Sequence, residues 1–360
     1  LLDELGVARP LLAADREALE ASGAGRILRP LLETRFAAVF SDFAPNPERG
    51  ALLAGLELLR DSRADGVVAL GGGTAADLGK LLATFAAQST SIDDALARPE
   101  SLQPVSLPLV AVPTTAGSGS EATSFAVLYA DGRKHSLGHA AMRPAAALVD
   151  PVLTESCPPR LTACAGLDAL CQAIESFWSA GATRESRDYA LAALRPLVRQ
   201  LRAAVHAPTP KIRVAMADAA HLAGRAIQIS KTTAPHALSY ALTARYGVPH
   251  GHAVALTIGE VFAANAAAPD ALVQLPGRRM QLRGLLDPLL WHLGADEPAA
   301  LPDYFRTLLA DLGLETRLRD LNVPRERLPE LAAAADPARL ANNPVRLSPE
   351  TILEIYQRAW

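Results

Sequence analysis

Apolar residues in the first 155 positions gather into short runs: Arg9–Ala14, Phe36–Phe40, Gly66–Leu70, Pro108–Pro113 and Ala145–Asp150. Short apolar runs bounded by turn-forming residues predict buried strands. Stretches of helical spacing separate them. One helix starts near Arg16, and another opens at Asn46-Pro47-Glu48, with Asn46 as the N-cap and Pro47 at the first helical position. Strands alternating with helices predict an α/β domain over residues 1–155 with a mostly parallel, covered sheet. After Pro151 the pattern changes. From about Pro159 to Trp360 the chain is rich in Ala, Leu and Arg at helical spacing, as in Ser186–Val205 and Ile212–Ile229. This predicts an all-helical domain over 156–360, with the Ala/Pro-rich segments near 264–302 and 333–344 as connections.

Composition narrows the class. Half of the 360 residues are apolar, ample for two cores. A net charge of −3 advertises no basic face to nucleic acid or anionic lipid. No apolar run approaches the roughly 20 residues of a membrane span, and no signal-peptide pattern is visible. The three cysteines, Cys157, Cys164 and Cys171, form no CxxC pair, which argues against a disulfide framework or thiolate zinc. Cys164 and Cys171, seven apart, fit one buried helical stripe, and the expected setting is a reducing cytoplasm.

Two turns carry candidate ligand chemistry. Val67–Leu70 runs into Gly71-Gly72-Gly73-Thr74 and then a helical stretch through Asp77 and Lys80. Three glycines allow a tight bend and close ligand approach, with Thr74 as helix cap. The helix N-terminus would then present N–H groups and its positive dipole end to a pyrophosphate. A plain β–α turn has the same pattern. Pro113–Glu121, with Thr114, Thr115 and Ser120, is a second polar loop at a strand's carboxyl end, where open α/β sheets bind ligands. In the second half, Asp168 and Gln172 are four apart and share a helix face, while His236 and His250 are separated by thirteen residues. Two imidazoles, a carboxylate and an amide oxygen suit a divalent first-row metal. A solvated Asp–Gln pair and satisfied core histidines fit the same spacing.

These stretches together resemble the iron-containing (group III) alcohol dehydrogenase family. The resemblance is carried by Asp42–Pro47, Gly71–Thr74 with Asp77 and Lys80, Pro113–Glu121, Val149-Asp150-Pro151, Gly166–Leu170 and His236–Gly251. It implies a dehydroquinate synthase-like, two-domain fold with the active site in the cleft. It implies NAD(H) or NADP(H) contacted by Asp42, Gly71, Gly72, Gly73, Thr74, Asp77, Thr114, Thr115, Ser120 and Lys134. It also implies one divalent ion, Fe2+ or Zn2+, on Asp168, His236 and His250, with Gln172 where the family usually has histidine. The ion would polarise an aldehyde that accepts the nicotinamide hydride. Tyr240 stands where a proton-relaying histidine is common. Within the family, Leu170–Ser176 and Ser230–Tyr240 resemble the phosphonoacetaldehyde reductases. That implies Lys231, Thr232 and Thr233 holding a phosphonate, with His139 and Ser120 lining the same cleft; a solvated helix-end lysine is the competing reading. Asp42 is expected to favour NAD. The partner is a small aldehyde or alcohol, and family habit makes a homodimer the expected assembly. Three other activities fit the architecture: a general alcohol dehydrogenase, a metal-independent reductase, and a glycerol-1-phosphate dehydrogenase or dehydroquinate synthase-like cyclase.

Overall fold

Strands that are apolar at every position need a covering layer on both faces, and the N-terminal half is built that way. The computed structural model describes residues 1–130 and 133–360. It divides into two compact units, residues 1–157 and 158–360. The first contains, in chain order, β1 (Leu11–Ala14), α1 (Arg16–Ala21), α2 (Ala24–Thr34), β2 (Ala38–Phe40), α3 (Arg49–Asp61), β3 (Val67–Gly71), α4 (Gly73–Ala86), α5 (Ile92–Ala97), β4 (Leu109–Pro113), β5 (Phe125–Ala130), β6 (Arg133–Gly138) and β7 (Ala146–Ala147). Five strands form one parallel sheet in the order β2-β1-β3-β4-β7. Leu11, Ala13, Val67 and Ala69 pack on one face with Leu52, Leu78, Leu81 and Leu82. Leu12, Ala14, Val68, Leu70, Val110 and Val112 pack on the other with Leu19, Leu28 and Leu32. The period-two alternation therefore sends successive residues into two separate cores.

The structure corrects several expectations. The helix placed at Asn46 begins at Arg49, with Glu48 as its N-cap residue. Asn46 instead turns the chain at φ +66°, a left-handed conformation that asparagine tolerates. The strand at Ala145–Asp150 shrinks to Ala146–Ala147. The antiparallel hairpin of β5 and β6 was not anticipated. Its alternation of buried and half-buried residues on β5, Phe125 to Ala130, is a weak pattern inside a mixed polar stretch.

One buried cation ties the hairpin region to α4. Lys80 is fully buried; its Nζ donates to Ser120 Oγ at 2.6 Å, Thr123 Oγ1 at 2.9 Å and the Phe125 carbonyl at 2.8 Å. Burial pulls its pKa down to about 8, against the opposing pull of Asp77 and Glu121. Lys80→Met should destabilise the protein by about 3–5 kcal/mol at pH 7, because it strands buried acceptors and carboxylates. The sign of the pH dependence follows from a depressed base. Between about 8 and 10.5 the unfolded lysine is protonated and the folded one is not. The wild type therefore gains about 1.4 kcal/mol per pH unit there from this group, and the mutant does not. Denaturant titrations of both proteins at pH 7.5 and 10 should give a gap that widens with pH; a gap that narrows contradicts the assignment.

The second unit is helical: α6 (Pro159–Trp178), α7 (Arg184–His206), α8 (Pro210–Ser230), α9 (Ala234–Tyr246), α10 (His250–Ala267), α11 (Arg278–Leu293), α12 (Leu301–Asp311), α13 (Leu328–Ala333), α14 (Pro337–Ala341) and α15 (Pro349–Ala359). Helices α11 and α14 occupy segments expected to be connections. In α11, an apolar stripe of Leu282, Leu285, Leu286, Leu289, Leu290 and Leu293 is buried and sustains the helix despite Pro288. Helix α6 is buried on nearly every side from Thr162 to Trp178, the mark of a central helix. No helix among the described residues is long and apolar enough to cross a membrane.

Candidate metal centre and cofactor loop

Two loops adjoin at the carboxyl ends of β3 and β4. Gly71 ends β3 at φ +148°, where a Cβ would lie 2.7 Å from that of Ala75, so only glycine fits. Cβ atoms added to Gly72 and Gly73 would meet Thr115 Oγ1 at 3.5 Å and Ser118 Oγ at 3.2 Å. The glycine loop and the polar Pro113–Glu121 loop are thus in contact. No side chain caps α4, whose N-terminus begins at Gly73, so its leading N–H groups and dipole suit an anion.

The expected cofactor residues divide into two sets. Thr74 does not cap α4; it lies within the first turn, and its Oγ1 accepts from the Asn46 N–H at 3.3 Å. Asp77 and Ser120 turn inward: Ser120 Oγ donates to Asp77 Oδ1 at 2.6 Å, and Asp77 Oδ2 accepts from Val127 N–H at 3.0 Å. With Lys80 they brace the loop from beneath. Thr114 is buried, its N–H bonded to the Gly71 carbonyl at 3.0 Å. Thr115 stays half-buried beside Gly72, and Asp42 is exposed just beyond β2. Lys134 sits on β6 across from Tyr129. His139 follows the hairpin, and its Nδ1 accepts from Ala141 N–H at 3.2 Å.

In the helical unit, Asp168, Gln172 and Glu175 share one face of α6, all nearly or fully buried. His236 lies in the first turn of α9, and His250 is the first residue of α10. Ligand atoms of Asp168, His236 and His250 all lie within 4.8 Å of one another. Glu175, for which no role was expected, organises this convergence. Its Oε1 accepts from Thr233 N–H and Thr233 Oγ1 at 2.9 Å each and from His236 N–H at 3.3 Å; its Oε2 bonds His236 Nδ1. One carboxylate therefore caps α9 and fixes the imidazole. The signal in the sequence was a charge seven residues after Asp168 on an otherwise apolar helix.

The hydrogen bonds assign both tautomers. Glu175 keeps the proton on His236 Nδ1. Ser239 Oγ donates to the His236 carbonyl at 2.8 Å, so it receives from His250 Nδ1 at 3.3 Å. In the neutral form of each ring these bonds put the Nε2 lone pair, the ligating one, towards the site. His236 Nε2 approaches Asp168 Oδ1 to 3.3 Å, yet that buried oxygen has no hydrogen-bond donor. Burial alone would raise the Asp168 carboxyl; His236, His250 and the Gln172 side chain hold it below the usual range. Burial likewise opposes a charged His236, but Glu175 and Asp168 lift it to about 9. The pocket is built for positive charge. A single proton satisfies two acceptors at most, whereas a divalent cation satisfies three, so these residues fit a metal ion.

One other side chain near this centre is already committed. Thr233, expected to hold substrate, is fully buried; it donates to Glu175 and accepts from Trp178 Nε1 at 2.9 Å, which removes it as a phosphonate ligand. Thr232 is nearly buried, and Lys231 is half-buried. Tyr240 stacks on His250 with ring centroids 6.0 Å apart. Cys164 and Cys171 are buried, and burial raises both thiols, Cys164 to about 11, so they stay protonated.

Residues 1–151 match the family model for iron-containing alcohol dehydrogenase, and residues 162–360 match that for the C-terminal part of Fe-containing alcohol dehydrogenases. A phosphonoacetaldehyde reductase of Streptomyces viridochromogenes is 36% identical, over 90% of this chain and 82% of that protein. Long-chain-alcohol dehydrogenase 1 of Geobacillus thermodenitrificans is 30% identical, over 99% and 90%. Among solved structures, sulfoacetaldehyde reductase from Bifidobacterium kashiwanohense, in complex with NAD+, superimposes with a TM-score of 0.86 at 32% identity, over 99% of this chain and 92% of that one. With the convergent ligand set, these matches make the protein an NAD(P)-dependent alcohol dehydrogenase or aldehyde reductase that works with one divalent metal ion, Fe2+ or Zn2+. The chain belongs to the iron-containing alcohol dehydrogenase family.

Proposed function

We propose that the protein reduces a small aldehyde bearing an anionic group, phosphonoacetaldehyde foremost, to its primary alcohol, here 2-hydroxyethylphosphonate. The observation that carries the reading is the convergence of Asp168, His236 and His250 on one buried point. It favours this over a metal-independent reductase of the same fold. Similarity to a phosphonoacetaldehyde reductase and a sulfoacetaldehyde reductase supports the anionic substrate.

When bound, the divalent ion supplies Lewis acidity towards a carbonyl, and the reduced nicotinamide supplies the hydride. Asp168, His236 and His250 would hold the ion, and Gln172 would offer a neutral oxygen as fourth donor. With one carboxylate in the set, a divalent ion keeps net positive charge. Glu175 keeps His236 in the ligating tautomer. Gly71, Gly72 and Gly73 would admit a pyrophosphate to the uncapped α4 N-terminus, beside Thr115. Asp42, an exposed carboxylate, disfavours a 2′-phosphate and so favours NAD(H) over NADP(H). Tyr240 gives its hydroxyl proton to the product oxygen. Burial pushes that phenol up, against the pull of Arg339, so it remains protonated and able to donate at neutral pH. Lys231 and Thr232 hold the phosphonate. Protonated, undisulfided cysteines fit a cytoplasmic setting.

Steady-state assays should compare phosphonoacetaldehyde with propionaldehyde, using NADH and NADPH, on enzyme stripped of metal and then reloaded with Fe2+ or Zn2+. Stripping should abolish turnover and reloading restore it. Lys231→Ala should lower kcat/KM for the phosphonate by about 100-fold while changing propionaldehyde little. Full activity in stripped enzyme would refute the metal role, and equal losses on both aldehydes would refute Lys231 as the anion contact. Turnover without net change in nicotinamide absorbance would identify a cyclase instead.

A further inference from the structure

We propose that Arg339 is a specificity-determining residue that joins Lys231 in binding the anionic group of the aldehyde. The inference rests on the anionic-substrate reading above and adds a residue more than a hundred positions away in sequence.

Arg339 lies on the short helix α14, where its N–H donates to Asp336 Oδ1 at 2.8 Å. Three residues on, Asn342 staples this helix to the segment that carries Lys231. Its Nδ2 donates to the carbonyls of Ser230 at 2.8 Å and Thr232 at 3.0 Å, and its Oδ1 accepts from Gly181 N–H at 3.1 Å. The bonds therefore grip the chain on both sides of Lys231. They hold that residue at φ +62°, a conformation that is strained for a side chain with a Cβ and needs support from its surroundings. The backbone at Lys231 is consequently held against the end of α14 before any ligand arrives, and the Lys231 Nζ donates to the Gln228 carbonyl at 3.2 Å.

Two further contacts aim this pair at the reacting centre. Burial pushes the Tyr240 phenol up and the neighbouring Arg339 pulls against it, while the Tyr240 ring stacks on His250 with centroids 6.0 Å apart. Arg339, Tyr240 and His250 thus run in sequence from the cationic pair to the candidate metal ligands. Burial and the nearby Arg339 charge both depress the Lys231 ammonium, as expected for two cations held close together. Holding like charges together costs stability, and a ligand dianion offsets that cost. In a two-carbon aldehyde the acidic group is one methylene from the carbonyl, so both ends engage neighbouring groups at once. A planar guanidinium takes two oxygens of a phosphonate or sulfonate side by side, while Lys231 adds a point charge. A neutral aldehyde gains from neither.

The test compares wild type, Arg339→Gln and Arg339→Lys on phosphonoacetaldehyde, sulfoacetaldehyde and propionaldehyde. For Arg339→Gln, kcat/KM should fall about 100-fold on both acids, mainly through KM, and less than about 10-fold on propionaldehyde. Arg339→Lys should recover part of the loss on the acids, because the charge remains. The ratio between the two acids in the wild type tells which anion the pocket prefers. Calorimetric titration with methylphosphonate gives an answer independent of turnover: wild type should bind it and Arg339→Gln should bind it at least about 10-fold more weakly. Equal losses on all three aldehydes, or unchanged methylphosphonate binding, overturn the proposal and leave Arg339 a partner of Tyr240 alone. A wild type that reduces propionaldehyde as well as either acid overturns the reading beneath it, and that result comes before any variant is made.

Discussion

Glu175→Gln should fold and yet lose metal affinity by about 10–100-fold. The substitution keeps the shape of the side chain, and a glutamine Oε1 can still accept from Thr233 and His236 at the start of α9. The other half of the amide is an NH2 group where Oε2 had met His236 Nδ1. Two donors cannot face each other, so His236 must hold its proton on Nε2, the atom the metal needs. Glu175→Ala should do more damage. It leaves four buried donors unmatched and should cost about 3–5 kcal/mol of stability in addition to the metal. Calorimetric titration of metal into stripped protein, alongside denaturant unfolding, separates the two effects. A Glu175→Gln protein that binds Fe2+ or Zn2+ as tightly as the wild type would falsify the tautomer argument.

Gly251→Ala should also disable the centre, through backbone geometry. An added Cβ would stand 2.0 Å from the Cys164 carbonyl oxygen and 2.7 Å from the Asp168 nitrogen. Both atoms belong to the backbone of α6 and cannot swing aside. The first turn of α10 must move away, and it carries His250 off Asp168. Overpacking of this kind costs about 1–3 kcal/mol or more. The larger consequence is a ligand set opened on one side, with metal content of the purified protein falling well below one ion per chain. Gly284, on α11, offers the control, since no heavy atom lies within 4 Å of a Cβ added there. Gly284→Ala should keep its metal and gain about 0.5–1 kcal/mol from helix propensity. Normal metal content in Gly251→Ala would mean that the α6–α10 contact is not what positions His250.

Features readable from the sequence were those set by local pattern. Fully apolar runs gave the parallel strands, helical spacing gave α7 and α8, and triple glycine gave the bend after β3. Asp168, His236 and His250 were legible because imidazoles and a carboxylate have few chemical uses together, and because the flanking stretches resemble a known family. Local pattern failed where a residue's role depended on what faces it. Thr74 had the chemistry of a helix cap but lies inside the turn, and Thr233 had a hydroxyl beside Lys231 but spends it on Glu175. Asp77 and Ser120 were read only as cofactor contacts, and their bonds to each other and to the buried Lys80 were not legible.

The amino-acid order alone determined the fold class, the glycine bend and the types of group able to hold a cation, since each follows from periodicity or from side-chain chemistry. Packing of distant segments decided the rest. Glu175 reaches His236 only because α6 and α9 abut, Gly251 lets α10 close on α6, and Asn342 brings Arg339 to the Lys231 segment across more than a hundred residues. Such contacts are set by which helix faces interlock in space, and no spacing along the chain encodes that.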